Sequence, residues 1–135
     1  MVEKYAFLHI GKTGGTAFRD VITKHNKAQK KTRVTYLSHR GTLKEVAIDD
    51  KTSRLIFFVR EPVSRFVSAF NSRLRKGRFG EKDWNAGEAK AFARFPTAND
   101  LAEALGSWNP LRRLAARRAL SAIGHLKKPL AKYVG

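Results

Sequence analysis

The stretch from Tyr5 to Phe18, YAFLHIGKTGGTAF, limits most what this chain can fold into. Its apolar run from Tyr5 to Ile10 reads as a buried strand. Gly11-Lys12-Thr13-Gly14-Gly15-Thr16 breaks that run, and a helical pattern begins at Ala17. A strand, a glycine loop and a helix in this order leave backbone N–H groups pointing out of a helix N-terminus, where the helix dipole adds positive potential. Glycines let a bulky oxyanion come close to the backbone, because no Cβ stands in the way. Lys12 adds a point charge, and Thr13 and Thr16 add hydroxyl donors. The loop therefore reads as a phosphate or sulfate cradle. The competing reading of the same residues is a glycine-rich turn with a surface lysine.

A nucleotide-hydrolysing P-loop, G-x-x-x-x-G-K-[ST], would need glycine at position 6 to accompany Gly11-Lys12-Thr13, and that residue is Ala6. The later apolar run, Leu55 to Val59, is followed by Arg60-Glu61-Pro62 rather than by the aspartate that would hold Mg²⁺. Charge narrows the partners further. With 28 Lys and Arg against 11 Asp and Glu, the net charge of +17 favours polyanions or a highly phosphorylated cofactor. Much of the excess lies in Lys24 to Arg33, Arg73 to Arg78 and Arg112 to Arg118, which also suit solvated helix faces. With no cysteine, disulfides and thiolate metal sites are excluded. No apolar run approaches the roughly 20 residues of a membrane span, and Met1-Val2-Glu3-Lys4 does not resemble a signal peptide, so a cytoplasmic protein is expected. A length of 135 residues suits a single domain over 1–135.

Along the chain, Phe18, Val21 and Ile22 mark the apolar face of the first helix, which fades into the basic stretch His25 to Arg33. Val34 to Leu37 reads as a second strand, which puts His39 just past a strand end. Thr42 is placed to cap a helical turn around Leu43 to Val46. Leu55 to Val59 is the most hydrophobic run and suits the centre of a parallel sheet. Pro62 then opens a helix with Val63, Phe66, Val67 and Phe70 on one face. In an open α/β sheet, ligands bind beyond the carboxyl ends of the strands, so Arg60 is expected in the same crevice as Lys12. For Arg65 and Arg73 the alternative to a place in that crevice is plain solvent exposure, which suits Arg73 better than Arg65, and His9 reads as structural.

Lys12-Thr13-Gly14-Gly15-Thr16 after a first strand, with Arg60-x-Pro62-x-x-Arg65-Phe66-x-Ser68 after a buried one, resembles the sulfotransferases that use 3′-phosphoadenosine-5′-phosphosulfate (PAPS), in the branch related to the carbohydrate sulfotransferases. The continuation Phe70-Asn71-Ser72-Arg73-Leu74-Arg75-Lys76-Gly77 is similar to bacterial members. The resemblance implies that Lys12, Thr13, Gly14, Gly15 and Thr16 hold the 5′-phosphosulfate. It also implies that Arg60 and Ser68 hold the 3′-phosphate, that His39 is the general base, and that no metal takes part. Lys12 would in addition stabilise charge during transfer. The implied acceptor is a hydroxyl of a carbohydrate. The family normally continues past the point where this chain stops, so a missing C-terminal part is expected.

The second half reads as helical: Asn85 to Phe95, then a helix capped by Thr97 through Leu101 and Leu105, then one opened by Pro110. A closing strand is expected at Leu130 to Val134. The expected fold is α/β: a three-layer, P-loop-like domain with a short parallel sheet and a mostly helical C-terminal half. Two other functions remain open on the residues alone. A nucleotide or polynucleotide kinase would need Mg²⁺ and ATP, and the strand ends lack carboxylates to hold the metal. A basic nucleic-acid-binding module would need aromatic or helical reading elements, and none is found, which argues against nucleic acid as partner.

Overall fold

Ala6, Phe7 and Leu8 are buried in succession, and that places the first strand, β1 (Glu3–Leu8), in the middle of a three-stranded sheet. The structure is a computed structural model that describes residues 2–38, 41–44, 54–80 and 82–134. β1 pairs in parallel with β2 (Thr32–Leu37), Leu8 opposite Leu37, and with β3 (Arg54–Phe57), Leu8 opposite Phe57, so the order is β2-β1-β3. All three strands therefore end on the same edge. The α/β class and the helical C-terminal half are as expected. The position of β3 is not: among the described residues it lies at the sheet's edge, and Phe57, Phe58 and Val59 remain exposed. Hydrophobicity alone does not award the centre, which goes to the strand that is paired on both sides.

Helix α1 (Gly15–Ala28) starts two residues earlier than the apolar pattern suggested. It is tied to β2 by Asn26, whose amide donates to Val34 O (2.7 Å) while its Oδ1 accepts from Val34 N (2.9 Å). Leu43 and Lys44 are helical, while Val46 of the expected turn lies outside the described residues. Residues 2–60 and 129–134 belong to one compact unit. Its core joins Leu8, Ile10 and Tyr133, with Phe7 packed against Phe18, Tyr36 and Phe58. The expected C-terminal strand is instead a helical turn, α6 (Ala131–Val134). Pro129 and Leu130 accept i+3 hydrogen bonds from Lys132 N and Tyr133 N, which closes the turn before an extended strand can start.

Residues 61–128 form the second compact unit, whose regular elements are all helices among the described residues. Pro62 opens α2 (Pro62–Arg78), and Glu61 caps it by accepting from Val63 N (2.9 Å) and Ser64 N (2.7 Å). Asn85 and Thr97 form capping boxes on α3 (Ala86–Arg94) and α4 (Ala98–Leu105), and Asn109 caps α5 (Pro110–Ala122). Phe70, Phe92, Phe95, Leu101 and Ile123 fill the core. Arg73 is not the solvated residue its basic neighbourhood suggested. It is 6% exposed, with Nε and Nη2 each donating to Glu88 at 2.6 Å and further bonds to Lys82 O and Asp83 O.

Candidate functional site

Beyond Leu8, the buried residues His9 and Ile10 carry the chain off the sheet. His9 N still donates to Leu37 O (3.0 Å), and the turn Gly11 to Gly14 then rises to α1. Lys12 sits at φ 69, in the left-handed region, which costs an L-residue roughly 1–2 kcal/mol. Hydrogen bonds on both sides hold it there. Thr13 Oγ1 donates to Ile10 O (2.7 Å), Gly11 N donates to the Tyr133 hydroxyl (3.1 Å), and Arg60 Nη1 donates to Lys12 O (3.5 Å). Strain maintained by surrounding contacts is typical of ligand-holding turns.

Two glycines shape the concave side. Gly14, the N-cap of α1, has φ 89, and the space where its Cβ would stand is open, so the backbone there can be approached closely. At Gly15 a Cβ would collide with the His9 ring, so the ring forms the floor under the helix start. His9 is in turn held through Nδ1 by the Tyr36 hydroxyl (2.5 Å). Burial pushes the Tyr36 phenol up, against a smaller lowering by Arg19, so it is a neutral hydroxyl near pH 7.

This geometry fits a phosphate or sulfate group. No side chain caps α1 and no acidic residue lies in its first turn, so the positive end of the helix is not offset locally. Lys12 and Arg60 bring two cations to the same turn. Thr16 is exposed in the first turn of α1. The Thr13 hydroxyl hydrogen is committed to Ile10 O, so in this arrangement it does not serve as the hydroxyl donor expected from the sequence. The structure thus brings together Lys12, Thr13, Gly14, Gly15, Thr16 and Arg60. Ser68 is half-buried in the second turn of α2, in the helical unit. His39 lies outside the described residues; its neighbour Ser38 directly follows β2. Among the described residues, no cluster of His, Cys, Asp and Glu has the makings of a metal site.

His9 is structural, as its place in the first strand suggested, but sequence reasoning missed its partner Tyr36 and the support from Tyr133. His9 and Tyr36 pair across 27 positions, and Tyr133 reaches Gly11 across 122, so no local pattern announces either contact. One consequence can be tested on stability. Gly15→Ala must displace the His9 ring and is expected to cost about 1–3 kcal/mol in urea unfolding. Gly106→Ala, where a Cβ meets only ordinary contacts, should stay within about 0.5 kcal/mol. Equal losses at the two positions would contradict the ring's role as floor.

A glycine turn before an uncapped helix, with lysine and arginine on it at the carboxyl edge of a parallel sheet, is an arrangement that suits an oxyanion in an α/β protein. The sequence model of the Sulfotransferase family matches residues 2–107, and the chain belongs to that family. Its chemistry is accordingly sulfuryl transfer. Comparison with curated proteins and with solved structures gives no match.

Proposed function

We propose that the protein transfers a sulfuryl group from PAPS to a hydroxyl of a carbohydrate, as a member of the carbohydrate-related branch of the family. The observation that carries this reading is the contact of Arg60 with the Lys12 carbonyl, which joins the arginine of the second motif to the loop of the first. PAPS supplies an activated sulfuryl group, with the 3′,5′-bisphosphate as leaving group. In this reading the amides from Lys12 to Thr16 hold the 5′-phosphosulfate, as the open backbone at Gly14 permits. Lys12 stabilises the charge that grows on the bridging oxygen. Arg60 and Ser68, eight residues apart in the sequence, hold the 3′-phosphate. His39 takes the proton of the acceptor hydroxyl, because a neutral imidazole with an ordinary pKa of about 6.5 is a competent base near pH 7.

Calorimetric titration tests the donor assignment. 3′-Phosphoadenosine-5′-phosphate is expected to bind more tightly than 5′-AMP or ATP. A hydrogen bond to a charged group contributes roughly 1.5–3 kcal/mol, so Arg60→Ala should weaken the bisphosphate at least about tenfold. The same substitution should change 5′-AMP affinity much less. Equal affinity of the unaltered protein for the bisphosphate and 5′-AMP sinks the assignment.

A further inference from the structure

Glu103 is the last acidic residue of the chain, and every side chain charged at pH 7 that follows it is Lys or Arg. Within that stretch, α5 buries Ala116 and Ala119 in the helical core, while Leu111 and Leu114 stay outside it, 74% and 46% exposed. Three residues apart, the two leucines share one side of the helix, and Arg118, four further on, continues their row. Arg113 and Arg117 run along one flank of that row. Trp108, three residues ahead of Leu111 and directly before the Asn109 cap, is 98% exposed. Arg112, on the opposite flank, shares a depression with the Asp100 carboxylate of α4, so the net charge of the outer face comes from Arg113, Arg117 and Arg118.

We propose that the outer face of α5, together with Trp108, docks on the surface of an anionic lipid bilayer. The inference is independent of the donor and acceptor of the transfer reaction. This face asks two things of a partner: an apolar medium for Trp108, Leu111 and Leu114, and anions beside that medium for three guanidiniums. The boundary between lipid headgroups and acyl chains supplies both. Indole rings favour that boundary because they are apolar with one polar edge, and an arginine can lay its stem along hydrocarbon while its head reaches a phosphate. A soluble polyanion would pair with the arginines and leave the leucines in water. An apolar protein groove would take the leucines and offer the arginines no counter-charge. Docking is in the plane of the surface, since no helix among the described residues is long and apolar enough to cross a membrane.

The experiment sediments the full chain with vesicles of equal parts phosphatidylglycerol and phosphatidylcholine, and with vesicles of phosphatidylcholine alone. The anionic vesicles should bind it and shift tryptophan emission to the blue, and the neutral ones should bind at least about tenfold more weakly. Trp108→Phe should abolish the shift although Trp84 remains. A net charge of +17 draws the chain to any anionic surface, so the variants separate a docking face from general attraction. Trp108→Ala, and Leu111→Ser with Leu114→Ser, change exposed side chains; both should keep the wild-type melting temperature and weaken binding at least about tenfold. Arg113→Gln with Arg117→Gln should also weaken it at least about tenfold. Lys27→Gln with Lys30→Gln removes the same charge from exposed positions of the other unit and should weaken binding less than about threefold. Equal losses from the lysine and arginine pairs overturn the proposal in favour of diffuse attraction. Binding that survives the leucine substitutions overturns it too, and Trp108→Ala decides alone if the serine pair does not fold. Inorganic polyphosphate that produces the same Trp108 shift overturns it in favour of a soluble polyanion, and failure of the anionic vesicles to bind overturns it outright.

Discussion

Lys12→Ala is expected to slow sulfuryl transfer by about 10²–10³, the usual loss when one group aimed at developing charge is removed. Affinity for 3′-phosphoadenosine-5′-phosphate should fall by less than about tenfold. The backbone makes this substitution cleaner than most. Lys12 already holds φ 69, and alanine meets the same penalty in that region, so the folded loop gains or loses little from the change in residue type. The hydrogen bonds that fix the turn come from Thr13, Tyr133 and Arg60, and the Arg60 bond uses the Lys12 carbonyl, which alanine retains. What disappears is the ammonium. Interactions stronger in the transition state than in the ground state appear in the rate rather than in product binding. Single-turnover rates and calorimetry on the same preparation separate the two. A proportional loss in both reassigns Lys12 to ground-state binding. Lys12→Gly removes the ammonium and also the backbone strain, so agreement with alanine in rate would show that strain contributes little.

How far this site could be read in the sequence follows from the range of its interactions. The strand, the glycine turn and the helix were legible because they start within a dozen residues, and each leaves a local mark. Arg60 was legible because it follows an apolar run and precedes a proline that opens a helix. The contacts behind the turn were not, since His9 meets Tyr36, and Gly11 meets Tyr133, only after the chain has folded. The place of β3 was misjudged for a related reason: an apolar run signals a strand, but strand order is decided by which partners pair on either side. At the C-terminus, residues 131–134 show a similar limit. Apolar residues there suggested extension, while Pro129 and two i+3 hydrogen bonds fix a helical turn. Arg73 was hidden in another way. It stands in a basic run that reads as solvated, and its acidic partner lies fifteen positions away on the next helix.

That pair sets the largest expected effect on stability. Glu88, 2% exposed, accepts from Arg73 Nε and Gly124 N with one oxygen and from Arg73 Nη2 and Asn85 N with the other. Burial alone raises its carboxyl. The Arg73 hydrogen bonds, and then those from the Gly124 and Asn85 amides, outweigh burial and bring it down to about 2. Glu88→Gln leaves the Arg73 charge buried without its counter-ion, a change that costs roughly 3–5 kcal/mol. Arg73→Lys should also be costly, because an ammonium cannot span both carboxylate oxygens and the carbonyls of Lys82 and Asp83. The sign of the pH dependence follows from the lowered value. The unfolded chain takes up the Glu88 proton at higher pH than the folded one, so this stabilisation is complete above about 4.5 and is lost as pH falls towards 2. The shift corresponds to about 3 kcal/mol. Urea unfolding at pH 7 and pH 3 should therefore show the gap between wild type and Glu88→Gln narrowing in acid. Replacing both partners with apolar residues, Arg73→Met with Glu88→Leu, should recover much of the loss, since no charge is then left buried. A single substitution within about 0.5 kcal/mol of wild type, or a gap that widens in acid, would mean that the helices hold together without this pair.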